Sequence, residues 1–448
     1  KADVSKQRII EATRGAILAG KADGLPLLME QFQSSDRAFF RLALGTAREF
    51  PGSAIDQALA TELDRATPDR AALIVQCMAD RPETVVLAAV LKAARKGPRE
   101  VRVSAIDALR RVGDGSCLAT LLEVAGDSDE ELAQTARETL ASLPGEKVDA
   151  QIVTMLADER GASYPLLIEL VGQRRINAVP VLLQALADSD QVVRNAALIA
   201  LGETVTLRNL SVLISQVVAP QRASDAEIAR QALKAASIRM PDREACATEL
   251  AAAMNRAPLG TQSSLLEILA DVGGTKALST LGTAAKSSED ELQDTSSRLL
   301  GKWNSVDAAP VLLDLARTAP SNKYRVRALR GYIGLARKFA MPDPQRVAMC
   351  QSALDAATRS DERILVLDVL ALYPSAEALN LAISIKRDPT LKDEATAAVL
   401  VIAQKLGGKG VDVTKLLAGA GLDKVKLEII KAEYGSGSNR RDVTDTVR

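Results

Sequence analysis

Apolar and small residues recur along this chain with a beat of about thirty residues. The clearest copy runs Val193-Arg194-Asn195-Ala196-Ala197-Leu198-Ile199-Ala200-Leu201-Gly202. Its skeleton is an apolar anchor, an arginine, small residues at +4 and +7, then leucine and glycine. The same skeleton stands at Val101-Arg102 with Ala105, Ala108 and Leu109, and at Tyr324-Arg325 with Ala328, Gly331 and Tyr332. Weaker copies begin at Leu132, Ile228, Thr261 and Leu292. Positions 0, +4 and +7 share one face of a 3.6-residue helix, so each anchor predicts a helix with one buried stripe. Alanine and glycine on that stripe let a neighbouring helix approach closely.

Carrying the register outward places further anchors at Arg8, Phe39, Arg70, Ser163, Glu362 and Asp393, thirteen units in all. Each unit holds a second, shorter apolar segment. Gly24-Leu25-Pro26, Ala178-Val179-Pro180 and Ala308-Ala309-Pro310 open three of them, 17 or 18 residues after their anchors. Proline is tolerated in a first helical turn, where its missing N–H has no intrahelical partner, so a proline repeated at that offset predicts a repeated helix start. Between units, Asp127-Ser128-Asp129, Asp188-Ser189-Asp190 and Ser288-Glu289-Asp290 offer capping oxygens and negative charge for helix N-termini. Pro68, Pro98, Pro258, Pro320 and Pro389 stand at or just before other first helices. A single hairpin of such helices cannot bury its apolar face. Stacked hairpins share one continuous core, so the pattern predicts an all-α solenoid over residues 1–421 rather than several globular domains.

The units resemble HEAT repeats, in particular the short bacterial HEAT-like units of phycobilisome lyases, over roughly residues 4–419. That resemblance implies a right-handed α-α superhelix, with first helices on the convex side and second helices on the concave side. It also implies that the arginines after the anchors (Arg102, Arg194, Arg325) form a ladder with aspartates of neighbouring turns. The ankyrin T-P-L-H element and the tetratricopeptide Trp/Tyr positions are absent.

After Gly421 the helical pattern stops. Lys426–Gly435 alternates polar and apolar residues as a half-buried strand does, Ser436–Asn439 reads as a turn, and Asp442–Val447 could open a second strand. The expectation for 422–448 is a β-hairpin or the start of a further β domain. The words Ala-Glu-Tyr-Gly (432–435) and Asp-Val-Thr (442–444) resemble segments of planctomycete-type multidomain proteins that combine HEAT-like arrays with sugar-active or cytochrome modules. The chain opens Lys1-Ala2-Asp3 without methionine, which suggests trimming at that end.

Composition narrows the chemistry. Among 448 residues there is no histidine. Ser-His and Cys-His nucleophile pairs and His-ligated zinc or haem are therefore excluded from the sequence. Lysine plus arginine and aspartate plus glutamate both number 57, so the formal net charge is zero, which disfavours general binding to a phosphate backbone. Cys77, Cys117, Cys246 and Cys350 form no C-x-x-C pair and sit in apolar helical contexts, as buried free thiols do. Only Cys77 and Cys117 fall in neighbouring units. No apolar run approaches a membrane span. The acidic pairs lack the further ligands, the glycine and the terminal glutamate of a calcium loop. Gly407-Gly408-Lys409-Gly410 lacks the spacing and the hydroxyl of a phosphate-binding loop.

The densest basic cluster is Lys323, Arg325, Arg327, Arg330, Arg337 and Lys338, interleaved with Tyr324 and Tyr332. Basic and aromatic residues together can grip an anionic partner. Against that, the cluster lies on a first helix, and both tyrosines hold core-register positions. Trp303, the only tryptophan, follows Gly301 and is expected to plug the core or the gap between repeats. The function these features favour is a non-catalytic scaffold that binds a protein or peptide partner along its concave surface, through outward polar residues of the second helices, and nucleic acid is not an expected partner. No cofactor is expected and the chain is expected to be monomeric. The alternatives are a spacer or targeting module of a larger bacterial enzyme, periplasmic or secreted, and anionic-polymer binding through the Lys323–Lys338 cluster.

Overall fold

The computed structural model describes residues 4–158 and 160–419. First and second helices alternate throughout, with short 3-10 turns and no strand among the described residues. Each of the thirteen anchors falls in a first helix of its own, or directly before it in the case of Ser163. The hairpin expected over 422–448 lies outside the described residues.

The helix starts follow local chemistry. Pro26, Pro180 and Pro310 occupy the first turns of Leu25–Gln33, Val179–Ala185 and Ala309–Thr318. Asp129 caps Glu130–Ser142 by accepting from the Glu131 and Leu132 amides, and Asp190 caps Gln191–Thr204 through Val192. The third acidic turn behaves differently. Glu289 precedes Asp290–Gly301 without a side-chain cap, and the Ser287 hydroxyl accepts from its amide at 3.1 Å instead.

By compactness the chain divides into two units, residues 1–213 with 220–236, and 214–219 with 237–448. In the first unit, Pro68–Ala79 packs on Arg99–Val112 and that helix packs on Glu130–Ser142. In the second, the first helices from Leu259–Val272 to Lys392–Gly407 contact one another in sequence, and the second helices from Arg243–Met254 to Ala376–Ile385 form the other layer. Each unit is thus a two-layer α-solenoid with its core between the layers.

The stripe behaves as its spacing requires. Val101, Ala105, Ala108 and Leu109 are buried, as are Val193, Ala197, Ala200 and Leu201. Full burial of each leucine or isoleucine contributes about 1.5–3 kcal/mol. Elsewhere the register slips by one residue: Phe40, Tyr164 and Ala229 are buried where Phe39, Ser163 and Ile228 were expected as anchors. Arg8 and Asp393 are exposed, because the buried stripe of their helices starts later, at Ile17 and Ala395.

All four cysteines are buried and free, Cys77 and Cys117 included. Burial pushes the thiol of Cys77 up to about 11 and that of Cys350 up to about 12. The arginine ladder is present in two of its three expected rungs. Arg102 reaches Asp127 at 2.7 Å, and Arg194 grips Asp225 at 2.7 and 3.0 Å while also donating to the Asp188 and Ser189 carbonyls. Arg325 instead donates to the Ala319 carbonyl at 2.6 Å.

Candidate functional site

Two exposed regions of the second unit carry polar chemistry over open space. The first lies on the first helices and includes much of the basic cluster. Tyr324 and Tyr332 are buried in Asn322–Lys338, so neither ring is available for stacking on a ligand. Most of the cations are already engaged. Lys323 and Arg327 share Asp294 at 2.8 and 3.1 Å, and Arg327 also donates to the Ser297 hydroxyl. Arg330 pairs with the buried Glu362 at 2.9 Å, and Lys338 donates to the Asn304 amide oxygen. The hydrogen bond from Lys323 holds the Asp294 carboxyl below its ordinary value, and the same bond raises the Lys323 ammonium.

The cluster divides over two sides of its helix. Arg325 lines a small groove beside Asp355 and Glu362. Lys323, Arg327, Arg330 and Lys338 line a larger one of about 620 Å³ between Asp290–Gly301 and Asn322–Lys338. Arg298, Lys302 and Trp303 complete its wall. Trp303 is therefore half-buried at the groove rather than sealed in the core, because the chain turns out of the helix at Lys302.

The groove exists because its floor lacks side chains. Gly301, Gly331 and Gly334 all line it. Gly331 is required by packing: a Cβ there would stand 3.0 Å from the Gly301 Cα. Gly334 is not, since a Cβ there would meet nothing within 4 Å. A glycine inside a helix costs about 1 kcal/mol relative to alanine, and at Gly334 no neighbour requires it.

The second region lies on the second helices. A groove of about 610 Å³ between Arg243–Met254 and Gly274–Ala284 adjoins one of about 400 Å³ between Gly274–Ala284 and Ala309–Thr318. They share Ser279, Thr283 and Lys286, so the two form one track across three successive second helices. Ser279 and Thr280 donate to the Lys276 carbonyl and Thr283 donates to Ser279 one turn back. Each donor is thus satisfied within the helix, and each hydroxyl oxygen keeps lone pairs for an incoming N–H. Asn255 and Lys276 add an amide and a cation, while Lys286 pairs with Asp314 at 2.6 Å. The pattern of outward polar positions on second helices pointed to this face in general. It could not select these residues, because which second helices leave a gap depends on side-chain sizes in three separate repeats.

Among the described residues, no three His, Cys, Asp or Glu side chains come together to hold a metal, and no helix is long and apolar enough to cross a membrane. The sequence of residues 87–164 matches the family model of HEAT repeats. In that stretch the chain is similar to HEAT repeats. The stretch covers the helices from Leu87–Lys96 to the start of Tyr164–Gln173, including the Val101 unit and its Arg102–Asp127 rung. No curated protein sequence matches the chain. Several solved structures are similar to it. The karyopherin Kap121p bound to Nup53p is 12% identical, over 95% of this chain and 54% of that one, with a TM-score of 0.44. Importin beta is 13% identical, over 99% of this chain and 64% of that one, with a TM-score of 0.36. Human deoxyhypusine hydroxylase in complex with glycerol is 19% identical, over 58% of this chain and 96% of that one, with a TM-score of 0.23. The chain spans roughly half to two thirds of the length of the karyopherin chains.

Proposed function

We propose that this chain is a non-catalytic scaffold that takes a protein or peptide partner along the second-helix face of its HEAT-like repeats. The observation that carries this reading is the continuous track over Arg243–Met254, Gly274–Ala284 and Ala309–Thr318, lined by Ser279, Thr280 and Thr283. An extended backbone laid there would find hydroxyl acceptors for its N–H groups, with Lys276 and Asn255 as donors for its carbonyls. Many modest contacts of this kind add to a specific interface without a reactive group.

The test uses the full chain as bait with Ser279→Arg and Thr283→Arg variants. Both positions are exposed on their helix or border the groove, so the fold should keep its melting temperature. A partner retained by the parent protein should be lost from both variants and kept by Arg298→Glu, which lies on the first-helix face. Equal retention by all four proteins would sink the proposal.

A further inference from the structure

The groove between Asp290–Gly301 and Asn322–Lys338 is a second, separate binding feature. Its wall carries six cationic side chains, Arg298, Lys302, Lys323, Arg327, Arg330 and Lys338, and no carboxylate. The carboxylates that pair with them stand outside it, four against six cations: Glu267 with Arg298, Asp294 with Lys323 and Arg327, and Asp361 and Glu362 with Arg330. Lys302 has no carboxylate partner among the described residues, and Lys338 meets only an amide oxygen and the Phe339 ring. The wall therefore holds more positive charge than its surroundings cancel. Its floor is apolar, formed by Gly331, Gly334, Val326 and Leu335 beside Trp303.

We propose that this groove binds a short acidic peptide segment, with one apolar or aromatic side chain over the glycine floor against Trp303 and flanking carboxylates on Lys302 and Lys338. The shape of the charge favours this ligand over a nucleic acid. A phosphate backbone presents charge at every few ångströms and needs a long basic track. Here the helix on one side carries Asp290, Glu291 and Asp294, and the first helix on the other carries Asp361, Glu362 and Asp368. The positive region is one groove wide and ends at carboxylates in both directions. A residue at the floor would also be held at the one place where Gly334 leaves space that no packing neighbour needs.

Trp303 supplies its own probe, since the chain has no other tryptophan. The full chain is titrated with a capped pentapeptide, phenylalanine between two pairs of glutamates, while Trp303 emission is followed. The expected result is a saturable change that weakens as salt is added. Lys302→Glu and Lys338→Glu should each weaken binding about tenfold or more, because a carboxylate then faces a carboxylate. Gly334→Leu should abolish the response by filling the floor. If that variant fails to fold, as judged by its melting curve, the exposed Lys302→Glu decides alone. Replacing the peptide's phenylalanine with serine should also weaken binding. The proposal is overturned by an absent or non-saturable response, by unchanged affinity in Lys302→Glu, by equal binding of the serine peptide, or by a single-stranded oligonucleotide that binds more tightly than the peptide.

Discussion

A guanidinium taken out of water must place five N–H groups, and Arg81 places all of them. It donates to both Asp56 carboxylate oxygens at 2.6 and 3.2 Å and to the carbonyls of Ala47, Phe50 and Gly52. Both side chains are buried. Arg174 repeats the arrangement with Asp149 and the carbonyls of Leu140 and Ala141. In each case an arginine just past one first helix ties down the end of the preceding one. Removing Arg81 leaves a buried carboxylate and the Phe50 and Gly52 carbonyls without that donor, while the Ala47 carbonyl keeps the Phe50 N–H, so Arg81→Met should cost about 3–5 kcal/mol in urea unfolding, and less when combined with Asp56→Leu. The arginine ladder drew attention to the residues after the anchors and missed these two. The signal was available as an aspartate 25 residues before each arginine. Titration gives a second expectation. Asp225 is held below its ordinary value first by the hydrogen bond from Arg194, and Asp294 by that from Lys323. Lowered folded values mean that this stability is present above the unfolded value of about 3.9 and is lost as pH falls through the lowered ones. The four raised thiols act at the other end. Their contribution is complete below the unfolded value of about 8.5 and is lost as pH rises toward the folded values of about 11 at Cys77 and about 12 at Cys350. With no histidine, melting temperature should stay flat between about pH 5 and 8. A pronounced slope in that window would contradict the assignment.

At the scale of helices, two glycines one turn apart predict opposite effects. A Cβ on Gly331 would press on the Gly301 backbone at 3.0 Å, and a Cβ on Gly334 would enter open space. Gly331→Ala should therefore force Asp290–Gly301 and Asn322–Lys338 apart and destabilise by about 1–3 kcal/mol. Gly334→Ala should leave packing alone and stabilise by up to about 1 kcal/mol. Thermal melts of the two variants check both signs. Gly331 was legible as the +7 residue of its repeat, since small residues there imply close helix approach. Gly334 was not, because a glycine that opens a groove and one that permits packing look alike until the neighbouring helix is placed. The same holds for the basic cluster. Its density was visible, but its neutralisation by Asp294 and Glu362 depends on carboxylates about thirty residues away on either side.

At the scale of the molecule, a repeat array gains its stability from each hairpin and its immediate neighbours. Such arrays depart from all-or-none unfolding when their parts differ in stability. Trp303 reports on one groove of the second unit, whereas far-UV circular dichroism reports on helices everywhere. Their denaturant midpoints should differ, and coincident curves with one shared slope would show a single cooperative body instead. The cysteines give a matching readout. Buried thiols held well above their ordinary range should resist a thiol reagent in the native protein, and all four should react once it unfolds.

Helix starts, the alternation of long and short helices, the buried stripe and the buried thiols could be read from residue order. Each is set by interactions within one helical turn or by a periodicity that any stacked neighbour will satisfy. Pro26, Pro180 and Pro310 act on their own backbone whatever lies beside them. The five-donor shell of Arg81, the partners of Lys323 and Arg330, the exposure of Trp303 and both grooves needed the folded chain. Each depends on how far one helix is shifted and turned against the next, and that phase is decided by side-chain volumes in several repeats at once.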